Sequence, residues 1–160
     1  MAAASTDKCL DSAGHHHGHA RALNSVGWDH ALLGNHTNAL TYCQQALTLS
    51  EQLGDRDGQA HAWDSLGYAH HRLGHHTHAA GCYQQALTLY RALGDHYEEA
   101  TTLTNLGDTY HAAGHPDATQ TTWTHALAIL NNLDHPDADT VRAKLAALHT
   151  ERSSPLGVEG

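Results

Sequence analysis

The sequence from Gln44 to Leu49 recurs almost unchanged 40 residues later, from Gln84 to Leu89. The same offset connects further glycines, alanines and leucines, so three copies of one unit follow each other. A fixed period of 20 to 50 residues indicates a repeat architecture, in which each unit buries its apolar face against its neighbours. The residues repeated at this offset are Gly27, Gly67 and Gly107; Gly34, Gly74 and Gly114; Ala46, Ala86 and Ala126; and Leu53, Leu93 and Leu133.

Each copy is predicted to form two helices joined by a tight turn. In the middle copy the first helix is expected from about Gly58 to Leu73 and the second from about His76 to Leu93. Gly74 and Gly94 follow these helices, where glycine adopts the left-handed cap at little steric cost. An aspartate after the second glycine, Asp95, has a glutamate three residues later, which predicts an N-terminal cap.

Gly27, Gly67 and Gly107 are different, because each is predicted inside a helix. Glycine there costs roughly 0.5–1 kcal/mol relative to alanine. Its recurrence at the same position of each copy predicts that the paired helix approaches too closely to leave room for a Cβ atom. The small residues expected on the facing helix are Ala39, Ala79, Ala46, Ala86 and Ala126.

The middle copy resembles the tetratricopeptide repeat, whose signature is W-x2-L-G-x2-Y followed by A-x3-F and a later alanine. Its period of 40 residues exceeds the usual ~34, and the closing proline is absent. The resemblance implies an all-α, right-handed α-solenoid of three helix-turn-helix units, with a partial N-terminal helix and a C-terminal capping helix. The matching residues are Trp63, Leu66, Gly67, His70, Ala79, Tyr83 and Ala86.

A single domain is expected over residues 1–150, followed by a mobile tail at 151–160. The N-terminal edge has no cap in this scheme, so we expect a sticky surface there and a possible homodimer. At the other end Val141, Leu145 and Leu148 form the apolar face of a capping helix. The expected boundaries are a partial helix at 5–13, repeats at about 18–54, 57–94 and 97–133, and the capping helix at 137–150.

A narrower resemblance concerns the Leu-Gly-Asp joints and the ending Leu133–Leu145. Both are similar to the long repeats of large actinobacterial transcription regulators of the antibiotic-regulatory type. In that family such repeats follow a DNA-binding domain and often an ATP-binding domain. This sequence contains neither a GxxxxGK[ST] loop nor a basic winged-helix segment, so no residue here inherits those activities.

Composition excludes several functions. The chain has 8 Lys and Arg against 17 Asp and Glu, a net charge of −9, which is unfavourable for direct nucleic-acid binding. No segment has the ~20 apolar residues of a membrane helix. Three widely spaced cysteines, Cys9, Cys43 and Cys82, suit neither a disulfide framework nor a zinc site, and predict a cytoplasmic protein. No arrangement typical of an enzyme is recognisable, and no cofactor is expected.

The resemblance implies that the first helices of the copies line a concave groove that binds a protein or peptide. We therefore expect a scaffold or interaction module that binds a peptide, a helix or a neighbouring domain, as a regulatory part of a bacterial transcription regulator. Trp28 and Tyr68 are the expected aromatic anchors. The full set of predicted groove residues is Arg21, Asn24, Trp28, His61, Asp64, Tyr68, His71, Arg72, Asn105, Asp108 and His111.

Histidine is unusually abundant, with 18 residues. The pairs His71–His75 and His15–His19 have the i, i+4 spacing of a chelating helix face, but Gly74 interrupts the first pair. No specific metal site is therefore predicted, and solvated polar positions are the preferred interpretation. The alternatives left open are a histidine-rich metal-binding protein on the same scaffold, and a sensor of a small ligand or signalling peptide in the groove.

Overall fold

A computed structural model describes the backbone of residues 3–154 and the side chains of residues 14–154. Within this part every regular element is helical, which confirms the all-α repeat fold. The chain forms two compact units, one ending at Gly94 and the other beginning at Asp95. The helices are α1 (Ala3–Leu32), α2 (His36–Leu53), α3 (Arg56–Arg72), α4 (His76–Leu93), α5 (His96–Ala112), α6 (Pro116–Asn132) and α7 (Asp137–Ser153).

The glycines end their helices as predicted. Gly54 and Gly94 end α2 and α4 with φ of 66° and 71°, in the left-handed region that favours glycine. The Asp95 carboxylate accepts a hydrogen bond of 3.1 Å from the Glu98 backbone N–H, and so caps α5. Asp55 caps α3 in the same way, which starts that helix two residues before the expected position.

The close approach predicted at the interior glycines is also confirmed, but the facing residue differs from expectation. A Cβ atom built on Gly67 would lie 2.7 Å from the Tyr83 ring, and one on Gly107 would be closer still to the Trp123 ring. The alanines expected on the facing helices are buried as well. The glycines lie against larger side chains, such as Tyr83, which is one helical turn after Ala79. The missing Cβ therefore makes room for a side chain of the second helix as well as for its backbone.

The first unit has a core of small residues. Cys43, Ala46 and Leu47 of α2 pack with Ala62 and Leu66 of α3. Close-packed helices with short side chains leave little volume for large aromatic anchors. The two that are fully buried, Tyr83 and Tyr90, both lie on α4.

Burial of two thiols leads to a first testable prediction. Desolvation raises the pKa of Cys43 from 9.0 to about 11, and it does the same for Cys82. Because only the thiolate is nucleophilic, iodoacetamide should alkylate both at least about 100-fold more slowly in the folded chain than in urea. Peptide mass spectrometry after timed quenching measures this ratio, and equal rates in the two conditions would contradict the burial. The Cys9 side chain lies outside the described residues.

In the second unit α6 packs against α5 and α7. Val141 and Leu148 of α7 are buried, as expected for a capping helix, whereas Leu145 is only half-buried and Ala138 is buried in its place. The helix continues to Ser153, three residues beyond the expected end, so the first three residues of the predicted tail are helical. Residues 155–160 lie outside the described part of the chain.

The N-terminal prediction needs a correction. The expected boundaries separated a partial helix at 5–13 from a first repeat beginning at about residue 18, but α1 is one uninterrupted helix from Ala3 to Leu32. At the two later joints of the repeat, after Gly54 and Gly94, an aspartate follows the glycine and its side chain caps the next helix. His15 stands at the equivalent position of α1, where this cap is absent. None of the helices in residues 3–154 combines the length and the hydropathy of a bilayer-spanning segment.

Candidate functional site

The two aromatic residues expected to anchor a partner meet in the first unit. Trp28 of α1 and Tyr68 of α3 have ring centroids 4.9 Å apart, with planes inclined by 50°. Both side chains are half-buried, so each packs against the other and still presents a surface to solvent. Aromatic pairs in this distance range are stabilising beyond their buried area, so the pair forms a firm platform.

A cleft of about 350 Å³ opens between α1 and the first turns of α3. Arg21 and Asp57 face each other across it, with the guanidinium nitrogen 3.5 Å from the carboxylate oxygen. Both side chains are substantially exposed, so this ion pair contributes little to stability and a charged ligand can exchange with either partner. The lining residues are Ala20, Arg21, Asn24, Ser25, Asp57, Gly58 and His61.

His61 is held at the cleft from two sides. Its Nδ1 atom lies 3.0 Å from the hydroxyl of Tyr90, which is fully buried on α4. Its Nε2 atom lies 3.7 Å from the Asp57 carboxylate, one helical turn earlier on α3. This fixed orientation makes His61 part of a preformed wall.

Asn24 is one of four residues in the described part of the chain with a buried side-chain polar atom that lacks a hydrogen-bond partner. Its Oδ1 atom is buried and has no hydrogen-bond partner within the described structure. A buried acceptor without a donor costs about 1–3 kcal/mol, and native proteins contain few of them. Asn24 also lines the cleft, so a turn of its side chain would bring the amide oxygen to a peptide N–H group or another donor there.

Three further groove predictions fall on α3. Asp64 and His71 are half-buried, and Arg72 is exposed in the last turn. None of them lines the cleft, and His71 instead lies against His76 with ring centroids 5.9 Å apart. The compact group on the surface of α1 and α3 therefore consists of Arg21, Asn24, Trp28, His61 and Tyr68, and we name this surface the α1–α3 face.

In the second unit the predicted groove residues lie on α5, and α7 contacts two of them. The Lys144 ammonium donates to both carboxylate oxygens of Asp108, at 2.7 and 2.9 Å. The indole N–H of Trp123 donates to the same carboxylate at 3.1 Å. His111 lies 3.8 Å from the carboxylate of Glu151 on α7, and Asn105 is half-buried.

These contacts involve a residue that sequence reasoning missed. Lys144 stands 40 residues after Thr104, so α7 has the position that the first helix of a fourth copy would have. The offset of 40 residues therefore indicates that the polar side of α7 faces α5. The structure thus gives Asp108 an intramolecular partner within its own unit.

The histidines are arranged differently from the spacing argument. His70 lies near His75 and His78, and His71 lies near His76, because the chain reverses direction between α3 and α4. As the side chains stand in the described residues, no three or more His, Cys, Asp or Glu groups are placed to hold one metal ion.

Comparisons with known proteins place these features in context. The sequence model of the tetratricopeptide repeat family matches residues 18–92. The crystal structure of BtubC (BKLC) from P. vanneervenii has a TM-score of 0.75 at 23% identity, covering 82% of this chain and 55% of that one. The apo form of RapI has a TM-score of 0.78 at 12% identity, covering 86% of this chain and 38% of RapI.

A third similar structure is a kinesin light chain of Podosopora anserina, described as putative and as having nearly identical TPR-like repeats. Its TM-score is 0.69 at 15% identity, covering 81% of this chain and 64% of that one. The comparison with curated proteins found no significant match. This chain spans between about two fifths and two thirds of the solved proteins it resembles, and at these identities they establish the fold alone. Residues 18–92 therefore match the sequence model of the tetratricopeptide repeat, and the chain has an all-α helical repeat fold.

Proposed function

We propose that this protein is an interaction module that binds a peptide segment of a partner protein along the α1–α3 face. The observation that carries the proposal is the Trp28–Tyr68 pair beside a cleft that contains the unpaired amide oxygen of Asn24. Tetratricopeptide repeats generally mediate protein–protein interaction, and this surface has the composition of an interface centre. Aromatic anchors supply the buried area, and the orphan acceptor supplies a directional contact.

The chemistry of the face favours a particular kind of segment. An extended peptide presents backbone N–H groups, one of which would pair with the Asn24 oxygen. Next to it, the exposed Arg21 can pair with a negative group and the Asp57 carboxylate with a positive one. A segment that carries both charges, or a polar one, therefore suits the cleft. An apolar side chain of the same segment would rest on Trp28 and Tyr68. At about 350 Å³ the cleft fits one or two side chains, near the lower limit of small-ligand sites.

The regulatory context is a further part of the proposal. The resemblance of the Leu-Gly-Asp joints to those of bacterial transcription regulators supports a role as the regulatory region of such a protein, acting in the cytoplasm. In that role the α1–α3 face would capture a peptide or a neighbouring domain and so report its presence.

Selection from a random peptide display library tests the binding function with a defined probe. We expect enriched peptides to bind the native chain and to lose at least about 30-fold in affinity when Trp28→Ala and Tyr68→Ala are combined, because truncating a hot-spot aromatic costs about 2 kcal/mol or more. The matched control combines Gln45→Ala and Gln85→Ala, two exposed positions 40 residues apart on α2 and α4. The control should bind like the native chain.

Two results would count against the function. Peptides that bind the control and the aromatic variant equally well would show that recognition lies elsewhere on the molecule. A native chain that enriches no sequence family over several rounds would remove the peptide-binding proposal. Circular dichroism of all three proteins establishes that any loss of binding is not a loss of helix.

A further inference from the structure

The turn between α3 and α4 brings three imidazole rings together. His70 lies in the last turn of α3, His75 at the N-terminal cap of α4 and His78 in the first turn of α4. The Nδ1 atoms of His70 and His75 are 3.4 Å apart and share a hydrogen bond. The centroid of the His78 ring is 5.4 Å from that of His70 and 6.2 Å from that of His75. We name these three residues the elbow cluster.

The hydrogen bond limits the positive charge that the elbow cluster can hold. A neutral imidazole has one N–H donor and one acceptor nitrogen, whereas a protonated ring has two donors and no acceptor. The bond between His70 and His75 therefore survives when one of the two rings is charged, but not when both are. Two cationic rings would then have nitrogens 3.4 Å apart, with the ring of His78 beside them.

The surroundings of the elbow cluster supply little negative charge to compensate. No aspartate or glutamate occurs in the sequence between Asp64 on α3 and Asp95 after α4. A second pair of rings across the turn, His71 and His76, has centroids 5.9 Å apart and adds positive charge when protonated. The end of α1 and the start of α2 pack against Ala69, which precedes His70. The titratable and charged groups in the adjoining turns of these helices are Asp29 and His30 on α1, His36 on α2 and Arg72 on α3.

We propose that the elbow cluster is a pH-sensitive switch, which stabilises the α3–α4 turn while its rings are neutral and weakens the turn when adjacent rings are protonated. The same two residues also join the turn through the backbone, because the amide of His75 donates to the carbonyl oxygen of His70 at 2.9 Å. Repulsion between their side chains therefore acts directly on this backbone hydrogen bond.

The direction of the pH effect follows from the protonation of His70. Burial lowers the pKa of His70 below its ordinary value of 6.5, and the charges of His78 and His75 lower it further. The unfolded chain therefore binds this proton at a higher pH than the folded chain does. The stabilisation is complete above pH 6.5 and is lost progressively as the pH falls from there through the lower pKa of folded His70.

The other two copies lack the elbow cluster. The equivalent positions are His30, Asn35 and Asn38 in the first copy, and Tyr110, His115 and Ala118 in the third. Each of these sets contains one histidine, so neither can place two cationic imidazoles together. The first copy keeps the same backbone bond, since the amide of Asn35 donates to the carbonyl oxygen of His30 at 2.8 Å. Its turn is therefore a matched internal control in the same unit.

Hydrogen exchange of the native chain, followed by nuclear magnetic resonance, tests the switch at the turn itself. The readout is the ratio of the protection factors of the His75 and Asn35 amides, measured at about pH 7.5 and about pH 5, at the two ends of the histidine range. We expect the ratio to fall at least about fivefold at the lower pH, the effect of losing one hydrogen bond of ordinary strength. A constant ratio would contradict the switch, because the turn of the middle copy would then respond to acid like a turn with a single histidine.

A variant separates the elbow cluster from the other histidines of the chain. It combines His75→Asn and His78→Asn, which are the residues of the first copy. Its control combines His125→Asn and His149→Asn, which removes two exposed histidines from α6 and α7. Between the same two pH values, the melting temperatures of the native chain and of the control should fall about 2–4 °C further than that of the cluster variant, as a fivefold loss in folding predicts for a chain of this size.

Two results of the melting experiment would overturn the proposal. Equal losses in all three proteins, or a smaller loss in the control than in the cluster variant, would assign the acid sensitivity to histidines outside the turn. Neither the exchange nor the melting measurement depends on peptide binding at the α1–α3 face.

Discussion

Replacing Gly67 with alanine is expected to destabilise the first unit by about 1–3 kcal/mol, although alanine is the better helix former. The new Cβ atom would lie 2.7 Å from Cδ1 and Cε1 of Tyr83. That side chain is only 1% exposed and is enclosed by α3 and α4, so it has no free volume into which to move. The steric cost therefore exceeds the intrinsic gain of roughly 0.5–1 kcal/mol.

Gly81→Ala is the matched control, and the expected effect has the opposite sign. Gly81 lies inside α4 of the same unit, is exposed, and a Cβ atom there would meet nothing within 4 Å. It should gain the full 0.5–1 kcal/mol of helix propensity. Urea unfolding followed by far-ultraviolet circular dichroism compares the two midpoints with the native one. If both alanines shift the midpoint in the same direction, the close approach of the paired helices is not what retains glycine at position 67.

Val141→Asp is expected to have the largest effect in the second unit, about 3–5 kcal/mol. Val141 is 1% exposed on α7, so the variant loses the burial of its side chain and places a carboxylate in an apolar contact. A terminal helix of a repeat protein covers the stacking face of the last unit, and losing it exposes that face to solvent. The same unfolding measurement should therefore show an earlier transition, together with increased aggregation.

The control for this substitution is Ala143→Asp, two residues along the same helix. Ala143 is exposed and stands between Arg142 and Lys144, so the added carboxylate stays hydrated. Its cost should remain within about 1 kcal/mol, the difference in helix propensity. Equal destabilisation by the two aspartates would mean that α7 is not a packed cap.

The repeat alone predicted much of the fold. An offset of 40 residues located the helix pairs, and the glycines and Asp95 located their ends, because left-handed caps and side-chain caps depend on one or two residues each. The interior glycines indicated a close approach for the same local reason. The expected break between residues 13 and 18 is absent, and His15 stands there in place of the capping aspartate of the Gly54 and Gly94 joints.

The candidate site was predictable only in part. Their positions in the first helix of each copy predicted that Trp28 and Tyr68 lie on one face, and in the structure the two rings are in contact. The position of a residue in the repeat does not show which partner its polar group has. The unpaired amide oxygen of Asn24 and the ion pair between Asp108 and Lys144 were therefore evident only from the structure. The approach of His70 to His75 and His78 was not predicted for a related reason. Helical spacing pairs His71 with His75, whereas a chain reversal pairs residues across the turn.

Site-specific photo-crosslinking in cells that express the protein tests the central claim most directly. One version has a photoreactive side chain in place of Arg21, which is exposed and lines the cleft, and the other has it in place of Gln45 on the outer surface of α2. Peptide binding at the α1–α3 face predicts that the probe at position 21 links the chain to a distinct partner, and that Trp28→Ala with Tyr68→Ala abolishes the link. A partner linked from position 45 alone, or linked from position 21 with undiminished yield in the aromatic variant, would contradict it.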